Sequence, residues 1–165
     1  MERKIYSDVT AMVTDADLFR EEILWIDGFN GSGKSSLSKA IAVKIPGECT
    51  ILHMDDFLVG KQGVYFDAIR IDDLSGAIAS SPRPLIIEGV CLSKIREHLG
   101  MQHGVSVYVR RISSNGLWYE EDECQIASED MIRVDDNPLA IELRQYHYDY
   151  QPFEKADYIF DRVET

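Results

Sequence analysis

Gly28-Phe29-Asn30-Gly31-Ser32-Gly33-Lys34-Ser35 is the stretch on which the fold is read. It satisfies the pattern G-x-x-x-x-G-K-[ST] in full. Its glycines let the backbone turn tightly and aim successive N–H groups inward, as a nest for anionic oxygens. The residues before it, Ile23-Leu24-Trp25-Ile26, read as a buried strand. The residues after it, to Val43, read as a helix that stops before Pro46 and Gly47. A helix opening there adds its positive N-terminus to the nest. Gly28, Asn30, Gly31, Ser32, Gly33, Lys34, Ser35 and Ser36 are therefore the candidate phosphate-binding residues. Lys34 can reach β- and γ-phosphates, and the Ser35 hydroxyl can ligate Mg²⁺. The plain alternative is a Gly/Ser-rich turn that matches by accident. The strand directly before and the helix directly after weigh against it.

Outward from this turn, apolar runs alternate with helical stretches, which is the pattern of a parallel sheet built from βαβ units. Strands are expected at Ile23 to Ile26, Thr50 to His53, Leu85 to Ile87, Val105 to Val109 and Tyr158 to Phe160. Helices are expected at Asp8 to Phe19, Asp72 to Ser80, Leu92 to Leu99 and Pro138 to Tyr150, the last with proline at its start. The expected fold is a three-layer α/β/α P-loop NTPase fold with a mainly parallel five-stranded sheet. Residues 1–165 form one domain on this reading, and an irregular, acidic segment at roughly 110–136 serves as a short lid.

Two carboxylate sites sharpen the chemistry. His53-Met54-Asp55-Asp56-Phe57 ends the second predicted strand, and ligands of open α/β sheets bind beyond the carboxyl ends of strands. A carboxylate at Asp55 can accept a proton from an acceptor hydroxyl or orient it toward a γ-phosphate. The bland reading is that Asp55 or Asp56 caps a turn. Leu85-Ile86-Ile87-Glu88-Gly89 is an apolar strand ending in an acid, the form of a Walker B element, with Glu where Asp is usual. Glu88 would hold magnesium, often through water. A solvent-facing strand-end acid is the alternative. Ser35, Glu88 and Asp55 are the candidate metal ligands.

Composition bounds the partners. The net charge of −12 argues against nucleic acid, whose partners normally show a basic face. A phosphate site here must be made locally, from backbone amides, one or two cations and a metal. No apolar run reaches the roughly 18 residues that span a membrane, and Met1 to Phe19 lacks the apolar core of a secretory signal. Cys49, Cys91 and Cys124 form no CxxC pair, so a reducing cytoplasm is the expectation. Monomer and homodimer both remain open. Glu120-Glu121-Asp122-Glu123, with Glu129, Asp130, Asp135 and Asp136 nearby, reads as a solvated face. Trp118 and Tyr119 could stack on a base, pack into the core or anchor a loop.

Taken in order, Gly28 to Ser35, Asp55-Asp56-Phe57 and Ile86-Ile87-Glu88-Gly89 resemble the uridine kinase-like P-loop kinases. That group includes uridine/cytidine kinases, nicotinamide riboside kinases, pantothenate kinase and phosphoribulokinase. Tyr146 to Pro152, followed by Ala156-Asp157, is similar to the group's C-terminal stretch. The resemblance implies an ATP- and Mg²⁺-dependent kinase acting on a hydroxyl of a nucleoside-like or other small metabolite. It implies Lys34 on phosphates, Ser35 on magnesium, Asp55 as base and Glu88 near the metal or the acceptor. Asp56, Phe57 and Asp67, the last within Tyr65-Phe66-Asp67, would face the acceptor. The lid departs from the group's R-R-I-x-R-D, because Ser113 and Ser114 follow Arg110-Arg111-Ile112. Arg110 and Arg111 remain candidates to stabilise the transferring phosphoryl charge. The trimmed lid keeps a rival open: a nucleotide-binding regulatory protein, or slow ATPase, with no acceptor.

Overall fold

The computed structural model describes residues 4–20, 22–60, 64–135 and 137–165. Asp136, named above among the acids, lies outside them, as do Met1 to Arg3 at the start of the stretch examined for a signal. In chain order the elements are β1 (Lys4–Tyr6), α1 (Val9–Asp15), β2 (Ile23–Gly28), α2 (Lys34–Lys44), β3 (Thr50–His53), α3 (Ile71–Ser80), β4 (Leu85–Glu88), α4 (Leu92–Leu99), β5 (Val105–Ile112), α5 (Glu121–Cys124), α6 (Pro138–Tyr150), α7 (Pro152–Lys155) and β6 (Tyr158–Val163).

The strands form a parallel sheet in the order β1-β6-β5-β2-β4-β3. The sheet has six strands among the described residues, not the five expected. The addition is β1, which pairs Lys4, Ile5 and Tyr6 with Tyr158, Ile159 and Phe160. Three residues of mixed polarity carry no legible period, and this strand is an edge held by the backbone donors and acceptors of β6. The predicted leading helix is also shorter. Asp8 caps α1 by accepting a hydrogen bond from the Ala11 amide at 2.8 Å. The helix ends at Asp15, and Asp17 then turns with φ at 52°.

Side chains of β2 alternate between two cores, as the pleat requires. Ile23 and Trp25 pack with Leu74 and Ile78 of α3, Leu92 and Ile95 of α4, and Leu143 and Tyr146 of α6. Leu24 and Ile26 pack with Met12 and Val13 of α1 and Leu37 and Ile41 of α2. β4 follows suit: Leu85 and Ile87 enter the first core and Ile86 the second. Helices thus cover both faces, giving the three-layer mainly parallel α/β arrangement. No described helix is long and apolar enough to cross a membrane.

β5 continues beyond Val109, because Arg110, Arg111 and Ile112 stay in register with Asp161, Arg162 and Val163 of β6. The first residues assigned to the lid are therefore strand. The chain then turns back, with Ile112 bridging to Trp118. Trp118 is buried against Phe153 and Tyr108, ring centroids 4.9 and 6.1 Å away, so it anchors this segment.

Ile87 is fully buried between β2 and β3. Ile87→Ala is expected to lower unfolding stability by about 2–5 kcal/mol, through lost burial and a residual cavity. Urea denaturation measures it, and a change within experimental error would contradict the core assignment.

Candidate active site

Parallel strands buried on both faces deliver their carboxyl ends to one edge of the sheet, and the candidate residues gather there. Gly28 ends β2. A Cβ on it would lie 2.6 Å from Ser32 Oγ and 2.8 Å from the Val109 carbonyl oxygen, so no side chain fits. Gly33 caps α2 with φ at 102°, a conformation side chains disfavour. Between them the loop closes on itself, the Ser32 amide donating to the Phe29 carbonyl at 3.1 Å. The Ser32 hydroxyl is fully buried and has no hydrogen-bond partner among the described residues. Two glycine-dependent bends and the opening of an 11-residue helix make a cradle that suits a phosphate chain.

A cleft of about 650 Å³ opens onto this cradle. Asn30, Gly31, Gly33, Lys34, Ser35 and Ser36 line one side, and Asp55, Glu88 and Gly89 face them. Leu58, Val90, Leu139 and Leu143 form an apolar wall. Lys34 is only 8 % exposed, and its ammonium donates to the Phe29 carbonyl at 2.8 Å. Burial draws its pKa down, while the charges of Asp27, Glu88 and Asp55 pull it back up.

Glu88 is 5 % exposed and is the hub of a small network. Its Oε1 accepts from Ser35 Oγ at 3.0 Å and lies 2.6 Å from His53 Nδ1. The pairing follows from register, since His53 of β3 stands opposite Glu88 of β4. Asp55 sits in the 3₁₀ turn Met54–Phe57 that continues β3, exposed on the rim of the cleft. No cage of three or more His, Cys, Asp or Glu side chains occurs among the described residues. A hydroxyl and one or two carboxylates beside a phosphate cradle nevertheless fit a hard cation that takes its remaining ligands from phosphate and water.

Other candidates lie elsewhere. Asp56 and Phe57 do not line this cleft: their carbonyls accept from Arg70, at 2.7 Å from Nη2 and 2.8 Å from its amide, and the Phe57 ring packs on the core. Asp67 lines a separate cavity of about 450 Å³ with Phe66, Lys94, Glu142 and Tyr150. Arg110 is not on the cleft either. Its guanidinium makes two hydrogen bonds to Asp161, 2.7 and 2.8 Å, and stacks on Trp118 and Phe153. Arg111 lies 3.2 Å from Glu120 Oε1 and covers the Tyr119 ring. The ion partners Asp161 and Glu120 explain both positions.

Three residues missed in the sequence belong to the neighbourhood. Arg162 of β6 lines the cleft. So does Tyr65, whose buried hydroxyl has no hydrogen-bond partner among the described residues. Glu142 of α6 fixes the Tyr65 turn, accepting from the amides of Tyr65 and Phe66 at 2.5 and 2.9 Å. Arg162 and Glu142 carry no motif signal, and Tyr65 enters the sequence reading only as a neighbour of Asp67 in Tyr65-Phe66-Asp67. Asp27, just before the loop, is with Glu88 and Glu120 one of three buried acids among the described residues. It accepts from the Gly28 amide at 2.8 Å and from the Tyr146 hydroxyl in a very short contact.

Comparison with known proteins adds a fold. No family model and no curated protein matches the chain. Among solved structures, the fold is similar to that of a possible uridine kinase from Bacillus stearothermophilus. The two align over 93 % of this chain and 97 % of the other, with a TM-score of 0.64 and 17 % identity. At that identity the likeness is one of architecture alone: a mainly parallel α/β sheet with helices on both faces.

Burial pushes the Asp27 carboxyl up from 3.8 to about 6, against the pull of Tyr146, Gly28 and Lys34. Between those values the folded state holds more proton than the unfolded chain. The stability carried by this group is therefore present at low pH and lost as the pH rises toward about 6. Relative to the native chain, Asp27→Asn is expected to gain up to ~3 kcal/mol between pH 4 and 7 in urea denaturation. A difference independent of pH would show that the carboxyl titrates normally.

Proposed function

We propose that this chain is an ATP-dependent small-molecule kinase that transfers the γ-phosphoryl group to an alcohol. The observation that carries this reading is the convergence of the glycine loop, Lys34, Ser35, Asp55 and Glu88 on one cleft. A cradle alone would bind a nucleotide. An exposed carboxylate opposite the cradle, beside an apolar wall, provides for a second reactant.

On this reading the loop amides and Lys34 hold the phosphate tail, and the helix N-terminus adds its partial charge. Ser35 and Glu88 would hold Mg²⁺, which when bound neutralises charge on the β- and γ-oxygens. Asp55 receives the proton of the acceptor hydroxyl. The acceptor oxygen forms its bond to the γ-phosphorus as the bond to the bridging oxygen breaks, and ADP leaves with that electron pair. Little covalent chemistry is asked of the protein, so rate comes from positioning and charge stabilisation. Leu58, Val90, Leu139 and Leu143 are available to seat the body of a nucleoside-like or other small metabolite. The partners are then small molecules and not nucleic acid, the setting a cytoplasm that supplies ATP, and the protein a monomer or homodimer.

One observation favours a second reading, a nucleotide-binding regulatory protein or slow ATPase. Arg110 and Arg111 are both engaged with acids away from the cleft, so neither is poised at a transferring phosphoryl group.

A panel of nucleosides, vitamins and sugars with Mg-ATP separates the two. Phosphorylation of any acceptor supports the kinase, while ATP binding without it supports the alternative. Lys34→Ala is expected to lower turnover by orders of magnitude with the fold retained by circular dichroism. Asp55→Asn is expected to lower kcat by about 10²–10⁴-fold and leave Mg-ATP affinity unchanged. Turnover in both variants unchanged from that of the native protein would refute the site.

A further inference from the structure

A chain of net charge −12 must bring cations to a polyphosphate one at a time. Lys34 is the cation within the glycine loop, and Arg110 and Arg111 are held against Asp161 and Glu120. Arg162 is placed differently. It stands opposite Arg111 in the β5–β6 register, near the carboxyl end of the last strand. Its side chain lies directly across Gly33: a Cβ on that residue would be 2.5 Å from Nη1 and 2.6 Å from Cδ. It shares the cleft with Lys34 and Ser35.

Its restraint is slight. Nη2 donates to Glu164 Oε1 at 3.3 Å, in a pair whose side chains are 41 % and 33 % exposed. Such a pair is weak and screened by solvent. Glu164 also lies 3.8 Å from Arg111 Nε, so it keeps a cationic neighbour if Arg162 leaves it. A guanidinium offers several donors in a rigid plane, which matches two phosphate oxygens at once. Gly33 supplies the αL bend that opens α2, so a side chain over it overlooks the glycine loop at the start of that helix.

We infer that Arg162 is a phosphate ligand of the nucleotide, swinging from Glu164 to the polyphosphate when the loop fills. This rests on the reading of Gly28 to Ser35 as a phosphate cradle. It gives the cleft a second cation, delivered by the C-terminal strand and not by the lid.

The test is calorimetric binding of Mg-ATP and of inorganic tripolyphosphate to the full chain, the native protein beside Arg162→Ala and Arg162→Lys. Arg162→Ala is expected to weaken both ligands by about 10- to 100-fold. Arg162→Lys recovers part of the loss, because it keeps the charge and forfeits the fork. Unliganded melting temperatures should match, since the side chain is half exposed. Equal tripolyphosphate affinity in native protein and Arg162→Ala overturns the inference and spares the cradle. Weaker Mg-ATP with unchanged tripolyphosphate also overturns it, assigning Arg162 to the base. A native protein that binds neither ligand removes the cradle reading, and this inference with it.

Discussion

The parallel register of β3, β4 and β2 is the constraint on which the site depends. It sets Glu88 beside Ile26 on one strand and beside His53 on the other. Because the sheet is covered on both faces, its strands must be apolar along most of their length, and polar residues collect where they end. Glu88, Asp55 and the glycine loop meet at that edge for this reason. A slip of one residue would exchange the faces presented by Glu88 and Ile87. The Ser35–Glu88 and His53–Glu88 contacts would go with it.

The electrostatics follow the same economy. The protein is strongly acidic, yet several of its arginines are spent as internal ties: Arg110 on Asp161, Arg111 on Glu120, and Arg144 on Glu123. These ties fasten β5 to β6, and the acidic segment that follows β5 to β5 and α6. The segment read as a short lid is thereby anchored at its start, with Trp118 and Cys124 buried beside Tyr108. Positive character at the cleft comes from local sources: loop amides, Lys34 and the arginine on β6. Lys34 is buried with carboxylates around it, which keeps a charged ammonium tolerable in a dry setting.

Much of the architecture was legible because it rests on local patterns. Five of the strands are short apolar runs, and burial on both faces leaves that signature in any context. Pro138 opened α6 as its fixed φ demands. β1 escaped notice because Lys4-Ile5-Tyr6 has no period, and its pairing with β6 comes from more than 150 residues away. Arg110 and Arg111 read as lid in the sequence because Arg110-Arg111-Ile112 resembles the start of R-R-I-x-R-D and an irregular, acidic stretch follows. They lie in β5 because β6 brings Asp161 to one of them, and the returning chain brings Glu120 to the other.

The sequence by itself determined the tight glycine turn between β2 and α2, since eight consecutive residues carry its geometry in their own backbone preferences. It also determined that acids end two of the strands. Only the tertiary structure decided which of those acids face the cradle, that His53 joins Glu88, and that Arg162 and not Arg110 overlooks Gly33. The reason is physical. A turn is specified by neighbours in the chain, whereas a contact between strands depends on sheet order and register, which no single segment encodes.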